Sequence, residues 1–291
     1  MNYSTVSKNE GKISSTENLP IYYDLYIPGV ERGTALPVVL FVHGFKGFKD
    51  WGAFPDLCEE LARAGFAVVA FNLSLNGVGS SMTEFDEPEL FRRETFSQDL
   101  ADIGSVIEAI KSKEIESDKA VLDTDRIGLI GHSRGGHTAV VASAEYSEIQ
   151  CLVTWSAVAD YNKRWSEEMV KDWKTKGYTE ITNSRTGQVL PIDKVVFDDA
   201  MENADRVIAI NRVRELYIPS MFIAGKSDEA VPFSETEKLF RASPATDKEI
   251  RLIEDAGHTF EISHPFTNNE FPPEFNEALD LTVGWFLDYL R

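Results

Sequence analysis

Short apolar runs, each stopped by turn residues, recur along the chain. They are PVVLFVH (37–43), FAVVAFNL (66–73), RIGLIG (126–131), CLVTWSA (151–157), SMFIAG (220–225) and IRLIED (250–255). Rich in Val, Ile and Phe and mostly without alternation, they read as strands buried on both faces. YYDLYIP (22–28) alternates somewhat and predicts an antiparallel edge strand. Helical spacing fills the gaps: Leu57, Cys58 and Leu61 within 54–64, and Leu100, Ile103, Val106, Ile107 and Ile110 within 95–111. Further helices are predicted over 134–146, 234–242 and 273–290, the last with Phe275, Leu279, Val283, Phe286 and Leu290 on one face. Pro273 suits its first turn. Strands alternating with helices predict an α/β fold, a mostly parallel doubly wound sheet, in one domain over residues 1–291.

One region breaks that rhythm. Residues 160–216 are charged, irregular and partly helical. The stretch is too long for an ordinary connection. It predicts an insertion after the sixth strand, lying over one edge of the sheet as a cap; a decorative surface excursion is the plain alternative.

Composition narrows the function classes. The 291 residues carry a formal net charge of −19. Such a surface repels phosphate backbones and anionic headgroups, so neither nucleic acid nor a membrane is expected as a partner. No apolar stretch approaches membrane-spanning length, and the N-terminal residues lack the basic-then-apolar signature of a secretory signal, which predicts a cytoplasmic protein. Cys58 and Cys151 form no disulfide framework and are expected as reduced core thiols. No pair of histidines has zinc-like spacing with an acid, so neither a metal nor another cofactor is expected.

The chemistry starts at RIGLIGHSRGGHTAV (126–140), where an apolar run gives way to a small-residue helix through Gly131-His132-Ser133-Arg134-Gly135. A sharp strand-to-helix turn leaves no room for side chains beside its central residue, and glycine supplies that room. Ser133 is then held out at the end of the sheet, where a helix N-terminus favours developing negative charge. Capping the helix is the simpler role for such a serine. A serine hydroxyl becomes a useful nucleophile only with a base and an orienting acid. GKSDEAVP presents Asp228 after one predicted strand, and EDAGHTF presents His258 after the next. Glu229 and Asp160 compete with Asp228 for the acid, and a turn or capping role is its plain alternative.

From about Tyr22 onward the chain resembles an α/β-hydrolase. The residues that carry the likeness are His43-Gly44-Phe45, Gly131 to Gly135, Gly225-Lys226-Ser227-Asp228 and Ala256-Gly257-His258. Within that superfamily it is similar to dienelactone hydrolase-like and cinnamoyl/feruloyl-esterase-like serine hydrolases. The resemblance implies acyl transfer with Ser133 as nucleophile, His258 as base and Asp228 as its orienting acid. It places the oxyanion donors on the backbone N–H groups of Phe45 and Arg134, and His43 is expected to steady the oxyanion loop. His132 and His137 are expected to pack beside the elbow and His264 in a loop. The insertion's aromatics, with Trp155, Tyr161 and Trp165 as substrate-binding residues, imply a small to medium carboxylic ester as substrate. Two other readings stay open: a compact serine aminopeptidase or acyl-peptidase, sharing elbow and triad order with prolyl-oligopeptidase-type enzymes, and a non-catalytic scaffold. With only about 130 residues before Ser133, the propeller those peptidases usually carry is not expected. The sequence leaves the oligomeric state open.

Overall fold

In the computed structural model, which describes residues 3–291, the apolar runs become the centre of one eight-stranded sheet. The chain begins with β1 (Val6–Ser14), β2 (Pro20–Pro28) and β3 (Thr34–Val42), then α1 (Phe54–Arg63), β4 (Ala67–Phe71), α2 (Pro88–Phe91) and α3 (Phe96–Lys111). Next come β5 (Ala120–His132), α4 (Arg134–Glu145) and β6 (Ile149–Trp155). After a long insertion it closes with β9 (Ser220–Gly225), α9 (Phe233–Ala242), β10 (Lys248–Ile253) and α10 (Pro273–Tyr289). The insertion holds α5 (Glu167–Lys176), β7 (Tyr178–Thr182), β8 (Val189–Asp193), α6 (Lys194–Glu202), α7 (Ala204–Val207) and α8 (Ala209–Arg212).

Sheet order is β1-β2-β4-β3-β5-β6-β9-β10. The six strands from β3 to β10 in that sheet are mutually parallel, and β2 runs against them. Alternate residues of a central strand feed two cores: Val38, Leu40 and Val42 face one layer, Val39 and Phe41 the other. The first layer is closed by α3, α4 and α9, and the second by α1 and α10. Both faces are covered, which is why these strands show no alternation. Cys58 and Cys151 lie buried and unpaired in the second layer.

Two expectations change. The 22–28 strand is antiparallel but not at the edge, because β1 pairs along its full length outside it. VSKNEGKIS has no apolar run to announce a strand, since most of it faces solvent. The 160–216 segment also builds its own two-stranded β7–β8 hairpin. A third core joins Trp173, Leu190, Ile192 and Val196 of this insertion to Phe48, Phe85, Phe91 and Phe96 of the main body. No helix among the described residues is long and apolar enough to cross a membrane.

Candidate active site

Ser133 stands between β5 and α4 with φ 57° and ψ −115°, a conformation that non-glycine residues rarely adopt. Its neighbours explain how the chain accepts it. A Cβ on Gly131 would be driven into the carbonyl of Gly135, and one on Gly135 into the carbonyls of Val42 and His43. The glycines therefore let β5 end, turn and enter α4 against the end of β3. The Ser133 N–H is fixed by the Trp155 carbonyl at 2.8 Å, so the strained residue is pinned to β6.

The β9 and β10 ends supply the partners. Ser227 N–H donates to the Ala256 carbonyl at 2.9 Å, tying the two loops together. His258 Nδ1 donates to Asp228 Oδ2 at 2.8 Å. The other Asp228 oxygen accepts from the N–H groups of Ala230 (2.9 Å) and Val231 (2.8 Å). Burial alone would raise the Asp228 carboxyl, but the His258 imidazole and the Val231 N–H outweigh it and hold it below its ordinary range. Asp228 is thus an anion that fixes the tautomer of His258 and leaves Nε2 free to accept a proton. Asp160 is used elsewhere: it accepts from the Asn162 N–H and pairs with Lys163. Glu229, also weighed at this position, lies exposed.

Ser133 and His258 line one cavity of about 240 Å³, shared with Gly44 and Phe45. The Ser133 hydroxyl has no hydrogen-bond partner among the described residues. In unliganded serine hydrolases such contacts are often long and tighten with substrate. Gly44 comes so close that a Cβ there would stand 3.0 Å from Ser133 Cβ. The Phe45 N–H beside it donates to no protein acceptor among the described residues. The Arg134 N–H opens α4, where helix geometry provides no acceptor. Two unsatisfied donors thus flank Ser133.

Each remaining histidine has a defined place. His43 is buried, and its Nε2 accepts from the Leu73 N–H at 3.2 Å. Its Nδ1–H therefore donates to the Gly44 carbonyl at 2.9 Å, which steadies the turn that carries Phe45. Burial lowers its pKa to about 4, keeping it neutral. His132 donates from Nε2 to the His258 carbonyl at 2.9 Å; burial and the adjacent His258 push its pKa down to about 3. His137 packs beneath the elbow against the carbonyls of Val158 and Val207. His264 accepts the Gly52 N–H at 2.8 Å.

The expected substrate residues divide. Trp155 does not line the cavity: it is buried in the layer beneath α10, donating to Thr282 Oγ1 at 2.9 Å and packing on Phe260 and Phe275. As the last residue of β6 it points into the core between the sheet and α10, where Thr282, Phe260 and Phe275 enclose it. Tyr161 and Trp165 line a second, smaller pocket of about 60 Å³ with Phe45, Glu94 and the Arg134 side chain. Phe45 contributes to both pockets. Sequence reasoning missed Lys46, Trp51 and the Asn183-Ser184-Arg185 turn, all of which line the larger cavity. The turn-forming composition of NSRTG (183–187) was the available signal for a hairpin there.

Residues 58–271 match the prolyl oligopeptidase family. A 31.7 kDa Escherichia coli protein from the traX–finO intergenic region is 31% identical over 43% of this chain and 38% of its own length. The chain thus spans well under half of that relative. The acylamino-acid-releasing enzyme of Rattus norvegicus is 23% identical over 76% of the chain and 28% of its own. A putative esterase of Bacillus subtilis, YitV, is 22% identical over 72% and 75%. Among solved structures, dienelactone hydrolase from Anabaena variabilis superposes with TM-score 0.63 at 20% identity, covering 98% of this chain and 99% of that one. The α/β hydrolase GrgF from Penicillium gives 0.72 at 13%, covering 98% and 99%. These likenesses identify an α/β-hydrolase fold.

Proposed function

The chain belongs to the prolyl oligopeptidase family, within the α/β-hydrolase serine hydrolases, and from that premise we propose that it cleaves small carboxylic esters through an acyl-enzyme on Ser133. The observation that carries this reading is that His258, hydrogen-bonded to Asp228 at 2.8 Å, shares the wall of one small cavity with a strained serine. Ser133 Oγ attacks the ester carbonyl while His258 Nε2 takes its proton. The oxyanion formed is held by the N–H groups of Phe45 and Arg134. Collapse breaks the bond to the alcohol oxygen, which leaves with the proton from His258. Water, deprotonated by the same imidazole, then releases the acid and restores Ser133. Asp228 stays ionised throughout and stabilises the imidazolium. A cavity of about 240 Å³ lies just below the usual range for drug-sized ligands, which favours a small acyl group.

A second reading, cleavage of an acylated or free N-terminal residue, is favoured by the likeness to the rat acylamino-acid-releasing enzyme over 76% of the chain. Side-by-side turnover of 4-nitrophenyl acetate and butyrate against aminoacyl and acyl-aminoacyl anilides separates the two. We expect ester turnover to dominate. Ser133→Ala should cut it by roughly a thousandfold or more and abolish labelling by a fluorophosphonate probe. Faster anilide turnover would transfer the assignment to the peptidase reading. An unlabelled Ser133 in the folded wild type would defeat both.

A further inference from the structure

The wall of the Ser133 cavity has the opposite electrical character to the molecule as a whole. The chain holds 48 Asp and Glu against 29 Lys and Arg. Yet Lys46 and Arg185 line this cavity, and no Asp or Glu does. Neither cation has an ion-pair partner among the described residues. Arg185 engages only through its backbone N–H, and its guanidinium stands 5.9 Å above the Phe48 ring. Asp50, the acid nearest Lys46 in sequence, is already held by Lys49 and Lys8. Lys46 is half-buried, and burial is the sole influence that displaces its ammonium pKa, downward.

A third donor points the same way. Asn183 is 5% exposed, lines the cavity, and uses its side-chain oxygen to accept the Arg185 N–H at 3.1 Å. Its Nδ2 is left buried with no partner among the described residues. An unmade hydrogen bond on a buried amide is costly, and a ligand acceptor would remove that cost. The turn that presents these groups is firmly built. Asn183 N–H bonds the Gln188 carbonyl and Gly187 N–H the Asn183 carbonyl, each at 2.8 Å. Gln188 Nε2 ties the hairpin to the Phe85 carbonyl at 2.9 Å. Lys46 itself is held at φ 56°, a backbone position where glycine would be cheaper.

We propose that Lys46, Asn183 and Arg185 form a carboxylate-binding subsite beside Ser133, and that the substrate is a short half-ester of a dicarboxylic acid. The guanidinium and amide supply directional donors to the carboxylate oxygens, and Lys46 supplies a second positive charge. In a cavity of about 240 Å³ the carboxylate lies only a few bonds from the ester it accompanies. This identity of the substrate rests on the esterase reading of Ser133; the subsite itself does not need turnover.

Binding is therefore measured apart from catalysis. Calorimetric titration of the Ser133→Ala protein compares monomethyl glutarate with methyl valerate, which replaces the carboxylate by a methyl group. The anion should bind at least about tenfold tighter, a preference that narrows as salt screens the charges. Adding Arg185→Gln should erase most of the preference, and Arg185→Lys should retain part of it. Equal binding of the two esters, binding of neither at millimolar concentration, or a preference untouched by Arg185→Gln overturns the subsite. A preserved preference together with no turnover of either ester by the wild type would instead sink the esterase reading.

Discussion

Ser133 occupies a backbone conformation that costs roughly 1–3 kcal/mol, and it persists because its N–H is bound to β6 and its neighbours are glycine. A second unusual residue lies one pocket away. Glu94 is 2% exposed, and its Oε2 is buried with no hydrogen-bond partner among the described residues; Arg134 Nη1 stands 3.6 Å from it. Burial raises its pKa to about 8, against the pull of Arg134. The sign of its effect on stability follows. Between the ordinary value of 4.5 and about 8 the unfolded chain loses this proton while the native state keeps it. Glu94 therefore lowers stability progressively as pH rises through that window and adds no further loss above it. Glu94→Gln should gain on the wild type as pH rises, with Arg134 still held by Asp99 at 2.8 Å. Urea unfolding of both proteins across this pH window checks it; a difference that does not grow with pH would show that Glu94 is ionised when buried.

Elements show where sequence patterns carry information and where they do not. The elbow was legible because steric exclusion leaves a chemical trace: only glycine fits at Gly131 and Gly135. Gly135→Ala forces a methyl group into two backbone carbonyls that cannot step aside. We expect it to cost about 3 kcal/mol and most of the activity. Gly284→Ala is the matched control, placed inside α10 with nothing within 4 Å of the added carbon. It should stabilise by about 0.5–1 kcal/mol through helix propensity alone. Thermal melts and ester assays on both variants test the contrast; comparable losses in the two would undo the steric account. β1 and the strands of the β7–β8 hairpin were not legible, although the NSRTG turn between β7 and β8 was. Both are short or solvent-facing, so backbone pairing rather than an apolar run defines them.

For the whole molecule, topology gathers the site. The sheet order places the ends of β3, β5, β9 and β10 so that loops distant in sequence converge on Ser133. The loop positions of Asp228 and His258 could be anticipated because each follows a recognisable buried strand, whereas the sheet's edge could not, because β1 carries no apolar run. Which way Trp155 faces could not, since a strand buried on both sides has no polar face to orient it. The insertion raises the same question at a larger scale: a separate lid, or part of the body. Its core answers for integration. Trp173, Leu190, Ile192 and Val196 pack with Phe48, Phe85, Phe91, Phe96 and Val158, which come from loops and elements of the main sheet. Asp193 N–H bonds the Arg92 carbonyl at 2.7 Å, and Ser97 N–H bonds Asp199 at 3.0 Å, which stitches the insertion to α2 and α3. Unfolding the insertion alone would expose those body aromatics as well as its own, so the intermediate would lose apolar burial from both partners. The chain should therefore melt as one cooperative unit. Differential scanning calorimetry should give a single transition whose calorimetric and van't Hoff enthalpies agree. A resolved early transition that removes protection of the 160–216 amides first would mean that the insertion folds as a body of its own.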